Sequence, residues 1–510
     1  MTETVKPSTA RVLPVGWGWA TLDQLFSSIT DGDHSAPPQV EEGVPFLVIG
    51  DVRNGTIDFS DVRYVPRDYY ATIGESRTPR KGDLLYTVTG SFGIPVLVES
   101  EREFCVQRHI AILKPIPQVS VRYLAFALAT TEAYYQAVEA ATGTAQKTVG
   151  LQRLRQFRLP LAAAPEQKRI VDAIESYFTR LDDAVATLER VERNLKRYRA
   201  SVLKSSVEGR LVPTEVALAK QERRSYEPAS VLLERVLAER RRRWSESGKK
   251  AKYEEPALPD TNDLPDLPDG WCWATIDQLA LAVTYGSSAK TDEGLEDGIP
   301  VLRMGNIVDG YLDYSELKFL PVDHSEFPEL LLRAGDLLFN RTNSAELVGK
   351  TAVVATDAKA SFASYLIRAR FAKGVQSQYV SHFINSLTGR QWIRSVVSQQ
   401  VGQANVNGSK LKACSIPLPP SSEQVRIVDE VERAFSVAFA TAGQVRQNLA
   451  RCALLRQSIL KWAFEDKLAD QDTADEPASA LLEHIKAERE GKRTKPTVTQ
   501  RTAKKKQVRA

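Results

Sequence analysis

What most limits the fold of this chain is that it is written twice. The stretch LPVGWGWATLDQL, Leu13 to Leu25, returns 254 positions later as LPDGWCWATIDQL, Leu267 to Leu279. GVPFLVIGDVRNGTID (Gly43 to Asp58) returns as GIPVLRMGNIVDGYLD (Gly298 to Asp313), and RKGDLLYTVTGS (Arg80 to Ser91) as RAGDLLFNRTNS (Arg333 to Ser344). Further on, FRLPLAAAPEQKRIVDAIE (Phe157 to Glu175) matches CSIPLPPSSEQVRIVDEVE (Cys414 to Glu432), and SVLKSSVEGRL (Ser201 to Leu211) matches SILKWAFEDKL (Ser458 to Leu468). YEPASVLLERVLAER (Tyr226 to Arg240) closes the series with DEPASALLEHIKAER (Asp475 to Arg489). A period this long is no solenoid repeat, which runs to roughly 20–50 residues. The chain is a tandem duplication, and two related units imply pseudo-twofold symmetry.

Composition narrows the class. At 510 residues, 43% hydrophobic and 26% charged, the chain is ordinary globular material with room for about three domains. A net charge of +4 neither demands nor excludes a nucleic-acid partner. Cys105, Cys272, Cys414 and Cys452 lie far apart with no C-x-x-C pair, which fits a reducing compartment and argues against disulfides and a zinc site. The opening MTETVKPSTARVLP lacks the apolar core of a secretory signal, and no run approaches the roughly 18 apolar residues of a membrane span. A cytoplasmic protein without membrane contact is expected.

Within each copy the pattern changes at the Pro-Leu-Pro region. Before it, β-branched and aromatic runs such as VPFLVIG, DLLYTVT and HIAILKP read as strands of a mixed α/β domain, interrupted by a helix over Val121 to Ala141. After it, Val171, Ile174, Phe178, Leu181, Val185, Leu188, Leu195 and Val202 fall on heptad positions of a helix of about 40 residues. Pro165 and Glu166 suit its first turn, and Gly209 with Pro213 its end. So long a helix cannot bury its stripe on its own domain. Val428, Val431, Phe435, Val445, Leu449, Cys452 and Ile459 repeat the register with small Ala438 and Ala442 between, so the two helices are expected to pair antiparallel.

This order of parts resembles the DNA-specificity subunit of type I restriction-modification enzymes over about residues 13 to 490. The GWxWxxLDQL-like openings, the IGDVRNG and MGNIVDG segments, FNRTNSAELVGK, and the Pro-Leu-x-x-Pro-x-EQ-x-x-IV junctions carry the resemblance. It implies α/β (α+β) target-recognition domains joined by long α-helices in an antiparallel coiled coil, with double-stranded DNA as ligand. Each domain would read one half of a split site, and the helices would fix the unread gap. Two methyltransferase subunits would dock on this frame, and motor/endonuclease subunits would join for cleavage. The chain itself would hold no cofactor and do no chemistry: S-adenosylmethionine, adenine-N6 methylation and cleavage would belong to the partners. The expected organisation is a flexible 1–12, a recognition domain at 13–161, a coiled-coil helix at 162–212 and a linker with a basic helix at 213–266. The second recognition domain follows at 267–418, the second helix at 419–470, and a helix with a basic disordered tail at 471–510.

An enzyme is the rival class, either a stand-alone methylase or a nuclease. An amino-methyltransferase needs Asn or Asp ahead of a Pro-Pro-aromatic turn, but Pro37-Pro38 follows Ala36 and Pro419-Pro420 follows Leu418. SAELVGKT ends like a phosphate-cradling loop at Gly349, Lys350 and Thr351, yet begins with Ser344 where glycine is required. Glu316-Leu317-Lys318 near Asp309 is the nearest approach to a nuclease triple, and His34, His109, His324, His382 and His484 form no i, i+4 pair. A third reading is a coiled-coil scaffold that binds proteins only; divergence of the polar loops between copies, with hydrophobic openings kept, argues against it.

Neither domain is basic on average, so any DNA-facing charge must be local. TGTAQKTVGLQRLRQFR (Thr142 to Arg158) and VGQANVNGSKLK (Val401 to Lys412) combine glycines, amides and bases ahead of a strand, which suits phosphate contact plus amide readout of adenine. The resemblance places a Gly-x-x-Gln-type loop at the DNA face, which makes Gln146, Lys147, Gln403 and Asn405 first candidates, with Arg153 and Lys410 beside them. Divergence between the copies adds Thr89, Ser91 and Arg108 in the first, and Arg303, Asn306, Arg341 and Asn343 in the second. Each has a bland alternative as a polar loop residue or a surface ion-pair partner. Arg108 and His109 stand where this reading places Tyr365 and Arg368 in the second copy. The PASVLLER and PASALLEH helices are candidate docking sites for the methyltransferase copies, and the tail GKRTKPTVTQRTAKKKQVRA for non-specific DNA affinity.

Overall fold

The computed structural model describes residues 12–34, 37–53, 55–144, 146–248, 252–262, 264–295, 297–357, 359–400 and 403–494. Residues 1–11 and those beyond Thr494, expected as flexible termini, lie outside this set. The chain divides into two compact units, residues 1–188 with 447–510, and residues 189–446. No helix among the described residues is long and apolar enough to cross a membrane.

In the first unit an antiparallel sheet runs, in spatial order, Phe26–Asp31, Ile110–Pro115, Leu84–Thr87, Pro95–Leu97. Leu84 and Tyr86 face a core that includes Leu25, Leu113 and Phe157, while Leu85 faces Val96, Val106 and Ile112. Burial on both faces explains the unbroken apolar run DLLYTVT. The second unit repeats the order with Ala280–Tyr285, Leu366–Phe371, Leu337–Asn340 and Thr351–Val353. The helix expected over 121–141 is two, Val121–Leu128 and Thr131–Ala140, because the Thr130 hydroxyl accepts the Ala133 N–H and starts a new one.

The repeated opening has a mechanical role. The Trp17 indole donates to Glu166 Oε1 at 2.9 Å, and the Trp271 indole to Glu423 Oε1 at 3.0 Å. Beside each glutamate, Gln167 accepts the Ser120 N–H at 3.0 Å and Gln424 the Gln376 N–H at 2.8 Å. The Glu-Gln of each junction thus ties the first turn of a long helix to the opening of its domain. Gln24 and Gln278 accept the Thr21 and Thr275 N–H groups, both at 2.8 Å, closing the short turn that follows each tryptophan strand.

The long helices span Ala164–Val207 and Ser421–Phe464, 44 residues each, and the division into units cuts both. In the first unit Asp182 pairs with Arg456, while Thr187 and Leu188 share a groove with Asn448 and Cys452. As one number rises the other falls, so the halves run antiparallel, as expected. In the second unit Val202 and Leu203 share a core with Val431 and Phe435.

The stretch expected as a linker with a basic helix holds helices at Glu215–Glu222 and Ala229–Glu246. Ala229–Glu246 packs on the second unit: the Ala229 N–H donates to Gly270 O at 2.9 Å, Arg240 to Ala280 O at 2.8 Å, and Leu232 and Val236 are buried. Ala478–Thr494 packs on the first, where the Ala478 N–H donates to Gly16 O at 2.8 Å and Arg489 to Asp23 O and Phe26 O at 2.5 and 2.7 Å. The buried apolar residues of both helices thus pack on their own units.

Candidate nucleic-acid interface

Beyond the central strand of the first unit the chain continues as Val88, Thr89, Gly90 and Ser91. Against it lies the hairpin Ala141–Thr142 with Thr148–Val149. The Val149 N–H donates to Val88 O at 2.8 Å and the Gly90 N–H to Lys147 O at 3.1 Å. The second unit builds the same lip: Thr342–Asn343 pairs with Gln403–Asn405, which pairs with Ser398–Gln400, and the Val406 N–H donates to Arg341 O at 2.9 Å. Stretches 59 and 63 residues apart in sequence therefore meet as one polar edge in each unit. Gly143 makes the first hairpin possible, since at φ +112° a Cβ would come within 2.4 Å of Gln146 O.

The side chains on the two lips differ. On the first, Ser91, Gln146 and Lys147 are exposed, and Lys147 has no ion pair among the described residues. Arg108 is exposed and its Nε approaches His109 Nε2 at 3.4 Å. Burial, then the Arg108 charge, holds His109 below its ordinary value, so its ring is neutral at pH 7. On the second lip the Arg341 guanidinium lies over the Tyr285 ring at 4.9 Å, and the Tyr285 hydroxyl accepts the Gly408 N–H at 2.7 Å. Asn405 Nδ2 donates to Thr342 Oγ1 at 2.8 Å, and Asn343 Oδ1 accepts the Ser344 N–H at 2.8 Å. Gln403 lies in the paired strand. Tyr285 and Tyr365, 45% and 49% exposed, present aromatic faces beside this lip. Sequence reasoning missed Tyr285; the available signal was a tyrosine closing the strand ALAVTY where the first copy has Asp31.

Several candidates turn out to hold the scaffold. Asn306 is buried; its Oδ1 accepts the Arg303 N–H and its Nδ2 donates to Asp313 O and Glu316 O, so no amide edge is left for a base. Arg303 spans the same turn, reaching Glu316 O at 3.4 Å. Thr89 is buried, with its hydroxyl accepting from Thr148 at 3.3 Å. Arg153 closes a helix end at Ala140 O, 3.1 Å away, and Lys410 holds Val396 O at 2.5 Å. Arg368 is buried against Leu331 O and Glu329 O, both at 3.0 Å. The equivalent strands Ile110–Pro115 and Leu366–Phe371 show why: Arg368 matches Ile112, while Arg108 and His109 match Ser364 and Tyr365.

This twice-built frame defines a class. Residues 14–193 and 269–449 match the family model for the type I restriction modification DNA specificity domain, and the chain belongs to that family. Among individual relatives, it is 26% identical over 500 residues to the EcoKI specificity subunit of Escherichia coli K12, covering 94% of this chain and 97% of that one. The StySPI specificity subunit of Salmonella potsdam is 25% identical over 497 residues, covering 94% and 96%. The fold is similar to that of the HsdS subunit from Thermoanaerobacter tengcongensis, with a TM-score of 0.50 at 16% identity, over 90% of this chain and 99% of that one. A chain from a structure of type I R-M complex assembly gives 0.58 at 18% identity, over 90% and 100%.

Proposed function

We propose that this chain is the sequence-specific DNA-binding subunit of a type I restriction-modification enzyme, each unit reading one half of a bipartite site. The observation that carries this reading is the lip: one backbone frame is built in both units and dressed with different side chains, as two readers of different half-sites require. The long helices set the unread gap and form the frame on which two methyltransferase subunits dock, with motor/endonuclease subunits added for cleavage. The chain is non-catalytic, and S-adenosylmethionine is held by the methyltransferase. The complex works in the cytoplasm, a placement supported by four free thiols. DNA contact falls to Gln146, Lys147, Ser91 and Arg108 in one unit, and to Arg341, Asn343, Gln403 and Asn405 with the Tyr285 face in the other.

A genome-wide map of N6-methyladenine, with the gene intact and deleted, tests this. Loss of one split motif on deletion is the expected result, and exchange of residues 13–161 should then alter one half only. Methylation of every split motif persisting in the deletion strain would overturn the reading.

A further inference from the structure

The second unit contains a cavity of about 350 Å³ beside the first long helix, the turn at Asp309 and the helix Leu387–Val396. Its wall is cationic. Lys196, Arg199, Lys350 and Arg390 line it together with His382, against the carboxylates of Asp309 and Glu346. Ala200, Leu203 and Phe435 supply an apolar side.

The two copies treat this place differently. They align through shared hydrogen bonds: Tyr123 and Tyr379 donate to Pro160 O and Pro417 O, and the Thr87 and Asn340 N–H groups donate to Ile94 O and Lys350 O. In that alignment Lys350, His382 and Arg390 stand where the first copy has Ile94, Phe126 and Tyr134. There the aromatic residues fill the space: Phe126 packs edge-on against Phe178 with centroids 5.6 Å apart, and Tyr134 stacks on Phe92 at 6.1 Å. His382 keeps the edge contact, with Phe435 at 6.1 Å, but carries polar atoms into it.

Gathering cations around a partly desolvated cavity is unfavourable unless an anion answers them. Several donors there await one. His382 is buried and is not among them, since its Nε2 already faces the Glu432 carboxylate at 3.4 Å. Arg199 pairs with Asp309 at 3.6 Å and donates to Asp309 O at 3.1 Å, yet its Nε is buried without an acceptor, and Lys196 and Lys350 make no ion pair among the described residues. Arg390 holds Val348 O and Glu346 O, both at 2.6 Å, which fixes its guanidinium in the wall.

We propose that this cavity binds a small phosphate-bearing anion about the size of a mononucleotide, its phosphate held by the cations and its less polar part against Phe435. The volume is in the range of small-molecule sites, roughly 300–1,000 Å³. A DNA backbone phosphate offers the same chemistry; the proposed occupant is the free ligand.

Calorimetric titration of the full chain with pyrophosphate and with AMP tests it. Saturable binding at one site per chain is expected. Lys350→Ile and Arg390→Tyr, which install the first copy's residues, should each weaken binding roughly tenfold by removing a charge-assisted bond. Lys196→Ala, on an exposed helix face, should weaken it with an unchanged melting temperature, and so guards against misfolding of the other two. No saturable binding of either probe, or binding indifferent to all three substitutions, overturns the proposal. A short duplex added last separates the sources: AMP that stays bound supports the free ligand, and AMP displaced by the duplex overturns it in favour of backbone phosphate.

Discussion

Arg199 lies over the ring of Phe435 at 4.9 Å in the second unit, and Arg456 lies over Phe178 at 4.2 Å in the first. One cation–aromatic pair is built twice, each time between the later half of one long helix and the earlier half of the other. Arg456 adds an ion pair to Asp182, while Arg199 also covers Phe439 at 4.3 Å. Replacing either arginine with alanine should lower stability by about 0.5–2 kcal/mol, the range for such pairs. Thermal melts unchanged by both substitutions would show that the helix seams do not depend on these pairs.

Trp271 is the one donor to Oε1 of the fully buried Glu423 among the described residues, Oε2 taking the Glu215 N–H, whereas Glu166 Oε1 is also approached by Gln471. Trp271→Phe leaves a buried carboxylate oxygen unanswered and should cost about 1–3 kcal/mol. Trp17→Phe should do less damage. Chemical denaturation of both variants gives the ranking, and the reverse order would contradict it.

Burial pushes the Glu423 carboxyl above its usual 4.5, outweighing the bonds from the Glu215 N–H and Trp271. Because the folded value is the higher one, the stability contribution is complete below 4.5 and is lost as pH rises through the raised value. Glu423→Gln cannot ionise. Its melting temperature should therefore decline less between pH 4.5 and neutrality than that of the parent chain, and parallel declines would refute the assignment.

Lys147 is exposed and carries no ion pair among the described residues. As a phosphate contact, its loss in Lys147→Ala should weaken binding evenly across sequences and reduce the slope of log K against log salt by about 0.9. Salt titrations on cognate and unrelated duplexes decide this; weakening confined to the cognate duplex would make Lys147 a base reader instead.

Asn306 should behave in the opposite way. With all its amide bonds inside the 303–316 turn, Asn306→Ala should destabilise the chain by about 1–3 kcal/mol while leaving the preferred bases unchanged. Selection from a randomised duplex pool reads the second half of that expectation, and an altered motif would restore Asn306 as a reader.

The duplication made the fold legible, because each motif could be checked against its own copy. The heptad positions from Val171 to Val202 gave the helix Ala164–Val207, and Gly209 marked its end. The lip was legible only in pieces, since nothing in the sequence says that Thr89 and Thr148 are neighbours. Inward or outward orientation was harder still. Asn306 looked like a base reader by residue type, but it stands where Asp51 accepts the Val48 N–H at 2.7 Å in the first copy, so that position serves the turn in both. Arg368 was misplaced by an alignment error of a few residues, which moves a side chain from the rim to the core.

The segment Ala478–Thr494 completes the unit that begins near Gly16, and Phe464 packs against Tyr123 in the core of that same unit. On the ribosome these partners emerge far apart in time, with the whole second unit between them. The second unit, residues 189–446, is contiguous and can close as soon as it clears the exit tunnel, while the first waits for segments translated after it. The amino-terminal half of the protein is therefore the later to mature, and a stalled or prematurely terminated chain would leave its apolar core open to chaperones and proteases.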